Sequence, residues 1–340
     1  MDGFPETPRS GTRPGPLSGV VWAYRFRDGE AAEVVHERDV GDALEVEEGW
    51  LWLHLNLADA RARSWIATTD ILPAAAKAVF SQGEERLGLD VEDDAVFGVI
   101  ADFERGLEPA SEDVGRLRFA LTERIVISAR RHALRSVEET RQALEAGRSF
   151  AHAGQLMDAI VDRFCDAVAG LVAEMTDDLD SIEDRVVSDV IENQRLRLVP
   201  IRRTAVRLHR QLSSLAAVMR DFDKRANAAG RPGRLSPVRL AGRLEALDGD
   251  LAIIQERAKL LQDEVSAKLA EETNRTLGAI STMTAFLLPG SLIAGLFGMN
   301  VGGLPLLHSD AGFWIVALLC CLATFIFYML IRRTGSTGDR

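Results

Sequence analysis

From Thr276 to Ile331 the chain carries one ionised side chain, Asp310, although acids and bases recur every few residues elsewhere. Two apolar runs fill that stretch. Leu277 to Phe297 gives about 21 residues and Phe313 to Ile331 about 19, each near the roughly 20 that a helix needs to cross hydrocarbon. Two transmembrane helices are therefore expected, and both runs argue against a soluble enzyme. The loop from Gly298 to Gly312 holds no Lys or Arg, whereas Lys268 and Arg275 precede the first run and Arg332 and Arg333 follow the second. That bias puts both termini in the cytoplasm and a short loop outside.

Nearly all of the 51 acids and 40 bases lie upstream, so that part is acidic and nucleic acid is not an expected partner. Residues 1–17, rich in proline and without an apolar core, read as a disordered tail and not a signal peptide. Residues 18–150 read as a cytoplasmic α/β domain. Its strand candidates are Val20 to Phe26, Trp50 to Leu57, Ala95 to Phe103, Arg116 to Leu121 and Arg124 to Ala129. Helical character lies between them at Ala58 to Thr69 and Pro73 to Gln82. The strand order is not readable. Cys165, Cys320 and Cys321 lack the spacing of a zinc site or disulfide framework and read as small apolar fillers.

Beyond residue 133 the apolar period becomes helical. Residues 151–230 hold two long antiparallel helices. The first has a stripe from Val161 to Val186 and runs for about ten turns. The second carries Ile201, Ala205, Leu208, Leu212, Leu215, Met219 and Phe222 and ends near the breaker Ala-Gly-Arg-Pro-Gly at 229–233. Residues 235–276 form a stalk helix whose Leu240, Leu244, Leu247, Leu251, Ile254, Ala258, Leu261 and Val265 repeat with four-three spacing. This seam is expected to pack against other helices along its whole length; a buried helix of a bundle within one chain explains the heptads as well as a contact that holds copies together. No proline interrupts Val238 to Leu288, so the stalk is expected to run into the first span as one rod of roughly 75 Å.

The two spans differ in character. The second, 313–331, is dominated by large apolar residues suited to lipid, whereas the first, 277–297, is rich in Gly, Ser and Thr. At helical spacing Asn274, Leu277, Ser281, Thr284, Leu288, Ser291, Gly295 and Gly298 share one stripe. A hydroxyl bonded to the carbonyl one turn back is an even rival for any one of these residues, but it explains the whole stripe less well than a pore lining does. One helix cannot enclose water, so conduction would need several copies around an axis.

Gly298-Met299-Asn300 ends the first span, followed by Val301-Gly302-Gly303-Leu304-Pro305. A Gly-Met-Asn there, after a long stalk and an acidic α/β domain, closely resembles the CorA superfamily of divalent-cation transporters. The Val-Gly-Gly-Leu-Pro run and Trp-Leu-His-Leu-Asn at 52–56 resemble its zinc-associated ZntB branch, whereas magnesium-transporting relatives typically carry an acid in the loop. The resemblance implies a CorA-like, funnel-shaped homopentamer in the bacterial inner membrane, with the first span lining the pore and the lipid bilayer around the second. It implies divalent cations as the transported partners, most directly zinc, with proton coupling thought to operate in that branch. Asn300 and Gly298 would offer oxygens to the water shell of the ion at the outer mouth. Ser291 and Thr284 would form hydroxyl rings, Leu277 and Ile280 an apolar constriction, Asn274 the inner end and Asp263 a carboxylate ring in the stalk. Asn300 as a left-handed helix cap and Asp263 as a solvated heptad flank are the competing readings.

Magnesium-transporting relatives sense cytosolic magnesium through acids near the start of the stalk, where this chain has Arg239 and Arg243, so magnesium-locked gating is not expected. The acids Glu84, Glu85, Asp90, Glu92, Asp93 and Asp94 read as a charge run bounding a turn, and His308 and Asp310 as a solvated loop pair. The six histidines are scattered singly and no phosphate loop or zinc-hydrolase motif occurs. No tightly bound cofactor and no catalytic residue are expected. The alternatives are a CorA-type magnesium or cobalt channel, and a membrane-anchored oligomeric scaffold or sensor.

Overall fold

The structure is a computed structural model that describes residues 19–45, 48–81, 86–105, 113–228, 235–299 and 311–335. The chain divides into two compact units, Met1–Ser188 with Asn193–Leu260, and Asp189–Glu192 with Leu261–Arg340.

In the first unit seven strands form one sheet: β1 (Val20–Phe26), β2 (Glu33–Val34), β3 (Trp50–Asn56), β4 (Gly88–Glu92), β5 (Ala95–Phe103), β6 (Val114–Leu121) and β7 (Ile125–Arg130). The order is β2-β1-β3-β7-β6-β5-β4, antiparallel except for β3 against β7. The five expected strands are present to within two residues at either end. The missed strands β2 and β4 are short edge strands: β2 is two residues, and the brief alternation of Leu89 and Val91 in β4 stands beside a run of acids that reads as a turn. The acids from Asp90 to Asp94 lie in β4 and the turn into β5, where Asp93 adopts φ 52 and Asp90 pairs with Arg225 at 3.0 Å. Glu84 and Glu85 lie outside the described residues.

Strand alternation gives the sheet two different faces. Leu51, Leu53, Leu55, Ile125 and Ile127 pack with α1 (Val40–Glu45), α2 (Ala60–Thr68) and α3 (Ala74–Ser81) through Val40, Trp65, Ile66, Ala76 and Phe80. The other face of β1 and β3 is aromatic, with Phe26 stacked on Trp50 and Trp22 on His54. Over it lies α4 (Arg135–Glu145), whose Arg141 sits above the Trp22 ring and whose Glu145 accepts from the Tyr24 hydroxyl. Ser128 Oγ, on β7, accepts the Trp52 indole N–H at 2.8 Å and lies 2.7 Å from His54 Nδ1. Burial, with Arg130 nearby, holds the pKa of His54 well below its ordinary value, so the imidazole is neutral. The Trp-Leu-His-Leu-Asn run is thus part of a packed sheet. Ser128→Ala would leave two buried nitrogens unpartnered, and each should cost about 1–3 kcal/mol. A fall in the denaturation midpoint of the full chain in detergent would show it.

Three long helices follow: α5 (Ala153–Val187), α6 (Gln194–Ala228) and α7 (Pro237–Phe297). The first two are 35 residues each, as their stripes require, and Cys165 is a buried filler in α5. The third is 61 residues and continues past Pro289, so the stalk and the first apolar run are one helix. Its four-three seam packs against helices of its own chain, one of the two arrangements the heptads allow. Leu240, Leu244 and Leu251 are wholly inaccessible, and Ile254, Ala258 and Val265 are nearly so, inside a single chain. Up to residue 260 α7 is tied to α6 by Ser213 and His209 on Asp248, each at 2.7 Å, and to α5 by Arg257 on Asp180. The seam is therefore filled within the chain and does not join copies. Heptad spacing specifies a packing face but not which helix fills it.

Candidate functional site

The second unit holds α7 from Leu261 onward and α8 (Gly312–Gly335). Two windows are long and apolar enough to cross a membrane, one in α7 and one at Gly312–Met329. On the span of α7 the half-buried residues are Ala285, Pro289, Gly290, Ile293 and Phe297, one face at i, i+4 spacing. On α8 the half-buried positions include the small residues Ala317, Cys320, Ala323 and Thr324. The two helices meet at Gly290, whose carbonyl lies 3.7 Å from Cys320 Sγ, and at Phe286 against Tyr328, with ring centroids 5.6 Å apart. A Cβ at Gly290 would lie 3.9 Å from Thr324 Oγ1, an ordinary contact, so a small residue fits there. Small residues at the contact let two apolar helices approach closely.

The stripe expected to line a pore lies roughly opposite that contact. Asn274, Leu277, Ile280, Ser281, Thr284, Leu288, Ser291, Gly295 and Gly298 are all exposed, and Asp263 lies exposed one heptad and a half below Asn274 on the same side of the helix. The described site residues share one broad side of α7, with Ile280 and Gly298 in line with each other toward one edge of it. The back-bonding alternative also holds locally. Thr284 Oγ1 donates to the Ile280 carbonyl at 2.9 Å and Ser291 Oγ to the Leu288 carbonyl at 3.1 Å. These bonds take up the hydroxyl hydrogens and leave oxygen lone pairs facing outward. A ring of such oxygens would accept hydrogen bonds from the water around a cation and offer an anion no donor.

Gly298 closes the last turn of α7, its N–H donating to the Ala294 carbonyl at 2.8 Å. A Cβ at Gly298 would come within 3.1 Å of that carbonyl, tighter than side chains normally tolerate, so the tripeptide begins at a packed helix end. Asn300, His308 and Asp310 lie outside the described residues. Among the described residues no group of three or more His, Cys, Asp or Glu is placed to hold a metal ion. Below the span, Arg239 and Arg243 are engaged by aspartates of α5. Residue spacing could not foresee this, because the acids lie nearly eighty positions away.

Residues 47–333 match the family model described as "CorA-like Mg2+ transporter protein". The chain is 28% identical to the divalent cation transporter CmaX of Pseudomonas aeruginosa over 92% of its own length and 96% of that protein. It is 25% identical to the zinc transport protein ZntB of Yersinia enterocolitica over 94% of both. Among solved structures, full-length CmaX superposes with a TM-score of 0.76 at 26% identity, covering 95% of this chain and 99% of that one. The CorA magnesium transporter of Methanocaldococcus jannaschii shares the fold, with a TM-score of 0.65 at 15% identity, covering 93% and 98%. The chain therefore belongs to the CorA family of divalent-cation transporters.

Proposed function

We propose that this protein conducts zinc across the bacterial inner membrane through a homopentameric pore lined by α7, with both termini cytoplasmic. The observation that carries this reading is the hydroxyl-bearing face of α7, which lies opposite the side that meets α8. It begins at Asp263 and Asn274, passes through Leu277, Ser281, Thr284, Leu288 and Ser291, and ends at Gly298, away from both the buried seam and α8. A helix with a hydroxyl-bearing face that its own chain leaves uncovered is suited to line water shared with other copies. On this reading Asn300 and the Gly298 carbonyl meet the hydrated ion at the outer mouth, and Leu277 and Ile280 form the narrow apolar section. Asn274 and Asp263 receive the ion at the inner end.

Copies would join along a second seam of α7. Ala246, Ile253, Leu260 and Ala267 recur every seven residues, all exposed, on the side facing away from the intrachain seam. Zinc is favoured over magnesium by the likeness to the ZntB protein and by a loop sequence, Leu304-Pro305-Leu306-Leu307, without an acid. With no nucleotide-binding motif in the sequence, gradients would drive transport, the membrane potential contributing about 2.3 kcal/mol per charge per 100 mV.

The test is uptake of zinc and of magnesium into liposomes holding the purified protein, with and without a proton gradient. Zinc uptake should rise with the gradient, and Asn300→Leu should lower it at least about tenfold, because each hydrogen bond lost to a charged hydrate costs about 1.5–3 kcal/mol. Magnesium flux insensitive to protons would replace the zinc assignment with a magnesium one. Absence of both fluxes would leave a membrane-anchored scaffold as the better reading.

A further inference from the structure

Basic residues of α7 meet acidic residues of α5 at a constant difference in residue number. Arg239 lies on Asp162 at 2.9 Å, Arg243 on Asp166, and Arg257 on Asp180 at 2.6 Å, each pair 77 positions apart. A constant difference is the mark of two parallel helices held in one register. The acids Asp158, Asp162 and Asp166 are spaced by four, and so are Arg239 and Arg243. Each guanidinium therefore also reaches the carboxylate one turn below, Arg239 to Asp158 at 3.7 Å and Arg243 to Asp162 at 2.9 Å.

Three acids thus offer the two arginines two equivalent settings. In the present one Arg239 and Arg243 sit on Asp162 and Asp166. One turn lower they would sit on Asp158 and Asp162, and Arg257 would come level with Thr176, next to Asp177 on α5. The apolar seam permits the same step, because sliding by one turn brings Leu244, Leu251 and Ala258 to the levels of Leu240, Leu247 and Ile254. Burial disfavours the charged form of Asp162, but Arg239 and Arg243 hold its carboxyl below the ordinary value, so it stays a carboxylate in either setting. The pairs are partly exposed and individually weak, which favours exchange of partners over a rigid lock. The Ser236 N–H, on Asp158 Oδ1 at 3.1 Å, belongs to the present setting.

We propose that α7 has two registers against α5, one helical turn apart, and that the ladder formed by Asp158, Asp162, Asp166, Arg239 and Arg243 is the detent between them. Packed helices move by discrete steps of this kind because an intermediate register leaves ridges on ridges. Only its effect on ion flux rests on the transport reading above.

The test uses the full chain in lipid nanodiscs with Cys320 and Cys321 replaced by alanine and spin labels at Ala173→Cys and Val238→Cys, both exposed positions. Cys165 stays unlabelled, since it is fully buried and burial pushes its thiol up to about 12. Asp166→Asn removes a partner used only in the present register and should lengthen the label separation by up to about 6 Å, four residues of helical rise. Asp158→Asn removes a partner needed for the lower register and keeps an oxygen for Ser236, so the distance should match the parent. An unchanged distance in Asp166→Asn, or an equal shift in both variants, overturns the proposal. Zinc flux in the two variants should change in opposite directions. If the parent itself carries no ion, the transport reading fails and the distances alone decide the ladder.

Discussion

If copies join along the second seam of α7 as proposed, aspartate at both Ile253 and Leu260 should leave folded single chains that carry no ion. These side chains are 61% and 59% exposed, one heptad apart on α7, and Ala246 and Ala267 extend the line in both directions. An apolar line of this kind along a charged helix suits the interchain contact proposed above. Burying an isoleucine or leucine is worth about 1.5–3 kcal/mol. The double substitution removes two such contributions per chain and adds like charges around the axis. Light scattering after size exclusion should show the loss of assembly while the helix content measured by circular dichroism stays constant. The control is Ile254→Asp, one residue along. Ile254 is 3% exposed and faces the inside of its own chain, so a carboxylate there has no partner and should unfold the bundle. Survival of the assembly in the double variant would mean that copies do not meet along this line.

Asp102 should make the protein lose stability as pH rises from about 4 to about 7, and Asp102→Asn should remove that slope. The carboxyl is wholly buried on β5 and accepts the N–H groups of Ser136 and Val137 at the start of α4, at 3.1 and 3.3 Å, and that of Phe103 at 2.8 Å. Burial pushes its pKa up to about 7, although these donors pull the other way. The unfolded carboxyl titrates near about 3.9. A folded pKa above the unfolded one means that between these values the folded chain holds the proton that the unfolded chain has lost. The contribution is therefore full below about 3.9 and is lost as pH passes through 7, with a span on the order of 4 kcal/mol at most. The measurement is the denaturation midpoint in detergent at each pH, read as the difference between parent and variant. A difference that does not fall with pH would show that the buried carboxyl is ionised throughout.

The strands Val20–Phe26 and Ala95–Phe103 are found with the bounds expected for them, because runs flanked by turn residues carry their own ends. The stalk and first span are likewise one helix, as the absence of an early proline implied. The expected stripe shares one side of α7 because it is a helical period, and the helix itself fixes which residues share a face; exposure does not single it out, since every residue from 269 to 284 is exposed. By contrast, the edge strands β2 and β4 were invisible. Two residues carry no period, and in β4 the alternation of Leu89 and Val91 is too short beside its acids to stand out, so pairing to a neighbour is what makes them strands.

Consecutive residues alone determined where the chain can cross a membrane, that three long helices follow the sheet, and which side of each is apolar, since these depend on local length, charge and period; the short helices α1 and α4 were not legible. Tertiary structure decided what meets what. The four-three seam of α7 lies inside one chain, and the apolar line beside Ile253 and Leu260 stays exposed. β3 pairs parallel to β7 across seventy residues of chain, Asp102 caps a helix 34 positions away, and Arg239 and Arg243 stand on the aspartates of α5. Each depends on closing a long loop for contacts that only the completed fold makes favourable, so neither partner's neighbours in sequence carry a mark of the other.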